Sequence, residues 1–219
     1  MADDLPADAR RVQVRRFFGL FGGVLDRSTV GVLVLAVLFA GTGAAGGWSG
    51  AEAQENALVS AEPGAAVTAD PLTVTIKKAY VADAIPSLAP ARPGSRFVLV
   101  TVTVENTSPR PVDARTSAAS FQVALPGLRQ FGRPVSPEAA RPDVVRAIDA
   151  TPLGALQPGV VQNLALVWEQ DAAQEVPQQV SIVVVGHTWR VSALDGSRQW
   201  FDPTPAATVE LPLAPLPAV

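Results

Sequence analysis

This 219-residue chain is organised around an alternation of side chains along residues 96–105. Val98, Val100, Val102 and Val104 fall on one parity, and Phe97, Leu99, Thr101 and Thr103 on the other. Successive side chains of an extended chain point to opposite faces, so the pattern predicts a strand whose valine face lies in a core. Asn106, Thr107, Ser108, Pro109 and Pro111 follow, and the prolines remove ladder donors, which predicts a polar corner that stops the strand. Leu72, Val74 and Ile76 alternate with Thr73, Thr75 and Lys77, predicting an earlier strand that runs on towards Tyr80 and Val81. Further strands are expected at 120–125, with Phe121 and Val123 inward, at 180–185, and at 208–213. Another is expected at 160–168, after a Leu156-Gln157-Pro158-Gly159 turn, with Val161, Leu164, Leu166 and Trp168 available for burial. Thr188-Trp189-Arg190-Val191 and Arg198-Gln199-Trp200-Phe201 flank Asp195-Gly196, the signature of a hairpin with a primed turn. A short helix is expected near Ser136-Pro137-Glu138. The sum is an all-β antiparallel sandwich of about seven or eight strands spanning residues 71–213, with a short tail at 214–219.

Upstream, the pattern changes kind. Residues 29–48 carry no charge, and about twenty apolar residues is the length that crosses a bilayer as a helix. Arginines 10, 11, 15, 16 and 27 precede this run and no Lys or Arg follows it before Lys77, so the positive-inside rule places the N-terminus in the cytoplasm and the sandwich outside. Residues 1–28 form a leader that is either an amphipathic helix on the membrane surface or a basic disordered segment, and residues 49–70 read as a linker. Gly43 and Gly47 have the spacing that lets two membrane helices approach, a route to weak homodimerisation. Ala51-Glu52-Ala53 fits a signal-peptidase site, and a secreted, cleaved form is the alternative to an uncleaved anchor.

Composition narrows the chemistry. A net charge of −3 provides no basic stripe for nucleic acid. With no cysteine there is no disulfide, thiolate metal site or thiol nucleophile. His187 is the only histidine, which excludes a histidine metal cluster and forces any Ser-His-Asp arrangement through one residue, expected on a hairpin or at the surface. No nucleotide, hydrolase or metalloprotease motif is present, and no catalytic residue, cofactor or metal ligand is expected. Binding residues are sought in the long proline- and glycine-broken stretch 126–152, where Arg129, Arg133, Arg141 and Arg146 make the outer region most basic and Phe131 adds an exposed aromatic. Trp189 and Trp200 on the hairpin are the other candidates.

Gly94, Arg96, Phe97, the four valines, Asn106, Pro111 and Val112 together form a glycine, basic-Phe-Val, alternating-valine, asparagine, Pro-Val string. With Phe121, Val123, the 156–159 turn and Leu166 to Trp168, it resembles bacterial cell-envelope domains related to the actinobacterial immunoprotective extracellular antigen. The resemblance covers roughly residues 72–213 and implies an immunoglobulin-like sandwich without enzymatic activity. The arginine-rich loop and the tryptophan hairpin depart from that pattern. The function expected is a single-pass, non-catalytic extracytoplasmic module that binds or assembles envelope proteins. The alternative is an accessory subunit of a membrane complex acting through its transmembrane helix.

Overall fold

The structure, a computed structural model, describes residues 58–85, 88 and 90–217. The leader, the apolar run 29–48 and the Gly43–Gly47 pair lie outside the described residues. No helix among the described residues is long and apolar enough to cross a membrane.

The described residues form thirteen strands and one short helix. The strands are β1 (Val59–Ala61), β2 (Ala66–Ala69), β3 (Leu72–Ala82), β4 (Ser95–Asn106) and β5 (Val112–Asp113), followed after the helix α1 (Ala114–Ala119) by β6 (Phe121–Ala124) and β7 (Leu128–Gln130). The remainder are β8 (Arg133–Pro134), β9 (Asp143–Arg146), β10 (Ala155–Leu156), β11 (Val161–Asp171), β12 (Gln179–Val191) and β13 (Arg198–Pro215). Eleven of the strands form one sheet in the order β6-β12-β13-β3-β4-β11-β7-β8, with β1 beside β13, β2 beside β3 and β9 beside β11, and β5 pairs separately with β10. The curled eleven-stranded sheet folds back on itself as two layers. One holds β6, β12, β13 and β1, and the other is centred on β3, β4 and β11. Strand β13 belongs to both, pairing with β12 up to Pro212 and then running parallel to β3 from Leu213 to Pro215.

The main core lies between the layers. Val98, Val100, Val102 and Val104 are buried, as their shared parity predicts, and face Ile182 and Val184 of β12, Val209 and Leu211 of β13, and Phe121 of β6 within one cluster. Leu164, Leu166 and Trp168 of β11 complete it. The other parity is not simply solvated: Leu99, Ala165, Val167 and Val145 form a second, smaller cluster on the outer sheet face, with Ile85 and the partly buried Leu88 packed on it.

Several expectations need correction. The linker reading of 49–70 fails over its end, because β1 pairs with residues 207–209 and β2 with residues 72–75 of β3. These segments are short and rich in Ala, Ser and Thr, so they carry no period and are recruited by neighbouring strands. The strand count of seven or eight is exceeded, and the pairing is mixed, since β1 and the end of β3 run parallel to β13. The expected strand 208–213 and the second arm of the hairpin are one continuous β13, which passes Pro203 and Pro205 and takes in two residues of the expected tail. On its other side β1 joins only at 207–209 and β3 only at 213–215, so the prolines interrupt no second ladder. Near Ser136 there is one turn and no helix, and the helix among the described residues, α1, opens on Asp113, whose Oδ1 accepts the Thr116 N–H at 2.9 Å. Val161, expected inside, is 58% exposed at the start of β11.

The corner after β4 is built around Asn106, which is fully buried. Its Nδ2 donates to the carbonyls of Arg110 (2.7 Å) and Leu156 (2.9 Å), and its Oδ1 accepts from the Ser108 N–H (3.0 Å) and Oγ–H (2.8 Å). Both donors and both acceptor sites of the amide are satisfied. Asn106→Ala removes all four hydrogen bonds from a fully buried position and strands the Leu156 carbonyl in the interior, and should lower unfolding free energy by roughly 2–4 kcal/mol. Urea denaturation measures this, with the half-exposed Ser108→Ala as the milder control.

Candidate functional site

The residues singled out in the sequence separate into three places. Arg129, Phe131 and Arg133 share the β7–β8 hairpin, whose two-residue turn has φ of 54° at Phe131 and 77° at Gly132. Positive φ at both central positions is the geometry of a type I′ turn, and it holds the Phe131 ring out to solvent, 78% exposed. Arg129 is clamped to Asp171 at 2.6 Å, while Arg133 is exposed on β8. Arg146, on β9, pairs instead with Asp149 at 3.1 Å and donates to Thr151 Oγ1 at 3.1 Å. Arg141 donates to the carbonyls of Glu138 (2.7 Å) and Ala140 (2.9 Å). The four arginines therefore do not converge on one anion site; each is taken up by partners of its own segment or of the adjoining strand, except Arg133.

The tryptophan hairpin does bring candidates together. Thr188 pairs with Phe201, Trp189 with Trp200, Arg190 with Gln199 and Val191 with Arg198. Directly opposed positions bring side chains close, and the two indoles meet edge to face with centroids 5.1 Å apart. Arg110 lies over the Trp189 ring at 5.3 Å, and Arg190 over Phe201 at 4.5 Å while forking onto Asp202 at 2.6 and 2.9 Å. The Trp200 indole N–H donates to the Pro111 carbonyl at 3.3 Å, pinning the hairpin to the β4 corner. The tip is a six-residue loop rather than the two-residue primed turn that Asp195-Gly196 signals. Ser192 N–H reaches the Ser197 carbonyl at 2.7 Å, and Asp195 Oδ1 accepts from Ser197 N–H and Oγ–H at 3.1 and 2.8 Å. Leu194 at the tip is 99% exposed.

Beneath the hairpin two recesses meet at His187 and Trp200. The larger, about 460 Å³, is lined among others by Asp113, Arg115, Arg141, Phe201 and Asp202. The smaller, about 260 Å³, lies on the side of Asp70, Thr107 and Trp189. Arg141 from the loop and Trp200 from the hairpin thus border one cavity, a juxtaposition set by the tertiary fold alone.

His187 itself is buried, not a surface residue. The β12–β13 register shifts between Gly186 and Thr188, an irregularity of the kind that re-aims side chains. The His187 N–H donates to the Asp70 carbonyl at 2.5 Å, and Gly186 lets the Asp70 backbone come so near that a Cβ would stand 3.0 Å from its oxygen. Nε2 lies 3.5 Å from Ser120 Oγ. Ser120 is fully buried with its hydroxyl donating to the Thr116 carbonyl at 3.0 Å, and the Asp113 carboxylate is held by Thr116 N–H and Oγ1–H. The serine offers no accessible nucleophile, and no hydrogen bond joins Asp113 to the imidazole, so the three residues form packing and capping contacts instead of a proton relay. Burial pushes the His187 pKa below its ordinary 6.5, with the Asp113 charge opposing in part.

No family model matches the chain, and no curated protein matches it. Among solved structures, an uncharacterized β-sandwich protein from Clostridium difficile is similar at 10% identity and TM-score 0.41, over 68% of this chain and 92% of that one. A Bacillus subtilis protein described as a candidate lipoprotein is similar at 15% identity and TM-score 0.36, over 69% of this chain and 39% of that one. A functionally unknown protein from Listeria monocytogenes is similar at 13% identity and TM-score 0.33, over 65% and 81% of the two chains.

The burial of His187 has a pH signature. Its folded pKa lies below the unfolded value, so the unfolded chain binds the proton more readily; the stability held by the neutral ring is complete above about pH 6.5 and is lost as pH falls towards the folded pKa. Thermal melts of the parent should therefore decline between pH 7.5 and 5.5, and His187→Gln should flatten that decline. Parallel curves for the two would remove His187 as its source.

Proposed function

We propose that the chain is a membrane-tethered, non-catalytic display module of the cell envelope, an immunoglobulin-like sandwich related to the immunoprotective extracellular antigen domains, which binds other envelope proteins through its tryptophan hairpin. The observation that carries this reading is the hairpin: aromatic and arginine side chains packed together on a two-stranded arm that ends in an exposed leucine. Tryptophan and arginine are the residues on which protein interfaces most depend. The uncharged run 29–48 and the arginines before it supply the tether and its orientation. The lone histidine and its serine and aspartate neighbours are occupied in packing and capping, which supports a binding role over a hydrolytic one.

The absence of cysteine makes the topology directly testable in the full chain. A cysteine placed by Leu194→Cys should react with a membrane-impermeant maleimide in intact cells, whereas one placed by Ala2→Cys should react only after lysis. Both variants should fractionate as full-length membrane protein. Protection of position 194 in intact cells, or recovery of the intact chain as soluble cytoplasmic protein, would overturn the reading. A photo-crosslinking residue at 194 should yield adducts that the same residue at Thr68, exposed on β2, does not.

A further inference from the structure

The outer face of the second layer carries a feature unrelated to the hairpin. On β11 the parity that leaves the core runs Ala165, Val167, Glu169, and on β4 it runs Leu99, Phe97. Asp143 of β9 pairs opposite Val167, which places its carboxyl beside that of Glu169 on the same face. Above them lie Leu88, Pro90 and Arg92, and together these residues enclose a recess of about 310 Å³. Its floor and walls are apolar except at one end, where two carboxylates face a single guanidinium.

Charge in this recess is incompletely matched. Arg92, with its side chain 55% exposed, donates through Nη1 to Glu169 Oε2 at 2.8 Å. Glu169 is only 9% exposed, and its other oxygen, Oε1, is buried without a hydrogen-bond partner. A buried carboxylate oxygen left unpaired is costly and exceptional in a folded protein. Asp143 retains an exposed flank, yet the protein crowding it pushes its pKa up, Arg92 opposing and the Glu169 charge reinforcing the effect. Arg129, directly opposite Glu169 on β7, is committed to Asp171 at 2.6 Å, so the three carboxylates and two arginines of this face remain short by one positive charge.

We propose that this recess binds a primary alkylammonium group, carried by a free amine or by a lysine side chain, with its charge between Asp143 and Glu169 and its alkyl part against Phe97, Val167 and Leu88. An ammonium is compact and has three donors, enough for Asp143 and for Glu169 Oε1 once the carboxylate turns about its last bond towards the recess. The hydrocarbon walls match an alkyl stem better than a hydrated ion. A metal ion is the poorer fit, because Arg92 already occupies part of the anionic end and no group of three or more metal-ligating side chains occurs among the described residues.

The test is titration of the full-length chain with n-butylammonium, with 1-butanol and magnesium as controls and N-acetyl-lysinamide as a second probe, followed by calorimetry and by methyl resonances of Val167 and Val145. Saturable binding of butylammonium that shifts Val167, absent with butanol and magnesium, is expected, and Glu169→Gln and Asp143→Asn should each weaken it at least ten-fold. A response to acetyl-lysinamide as well identifies a lysine side chain as a source, and its absence identifies a free amine. No binding by either probe, an equal response to butanol, or full binding in both variants would overturn the proposal. Should Glu169→Gln fail to unfold cooperatively, Asp143→Asn, at the exposed rim, decides the matter alone.

Discussion

The buried amide of Asn106 is the contact on which the placement of everything else at this end of the molecule depends. It holds the turn 107–111 through Arg110 and Ser108 and ties it to the β10 segment through Leu156, while its main-chain carbonyl accepts from Gly159 at 2.8 Å. That geometry delivers Val112 to the core and Asp113 to the start of α1. The helix then sets Ser120 against His187, and the turn presents the Pro111 carbonyl to Trp200. One side chain with four satisfied hydrogen bonds thus couples the central strand to the cap, the histidine and the tryptophan arm. Substituting its neighbours loosens one link, whereas substituting Asn106 loosens all of them.

The two faces of the second layer explain why a domain with one histidine and no cysteine still has distinct chemical environments. The inner face is aliphatic along the middle of the strands and closes on Trp168 and on the buried polar residues Arg96, Gln170 and Asn106, whereas the outer face of the same strands changes from threonine at 101 and 103, through Leu99 and Val167, to the carboxyl pair at 143 and 169. The period of two lets one strand serve the core and a recess at once. The hairpin belongs chiefly to the other layer, and the two recessed regions share no lining residue.

Much of this build can be read from residue order because it is periodic or because it depends on neighbours in sequence. The valine face of β4, the burial of Leu164, Leu166 and Trp168, and the pairing of 188–191 with 198–201 follow from alternation and from a turn signal. What escaped has a common cause. Val59–Ala61 and Ala66–Ala69 are too short and too small in side chain to show a period, and become strands only because β13 and β3 offer edges. The six residues of α1 contain no apolar repeat; Asp113 as a cap was the one available sign. The scattering of Arg129, Arg141 and Arg146 could not be read, since each partner, whether Asp171, a loop carbonyl or Asp149, is decided by where the chain returns. Likewise, nothing in the sequence brings Asp143 beside Glu169, which are twenty-six positions apart.

The parallel pairing of β1 with β13 concerns load as much as stability. Chain enters the domain at one end of β1 and leaves near the far end of β13, and the two strands point the same way over residues 59–61 and 207–209. A pull between these two ends draws the strands past one another, so their hydrogen bonds are strained together and not opened in succession as a hairpin would be. The first three-residue strand, slight as it is, acts as a shear clamp. A domain held at the end of β13 and tugged from residue 58 would meet that resistance at the hydrogen bonds between residues 59–61 and 207–209.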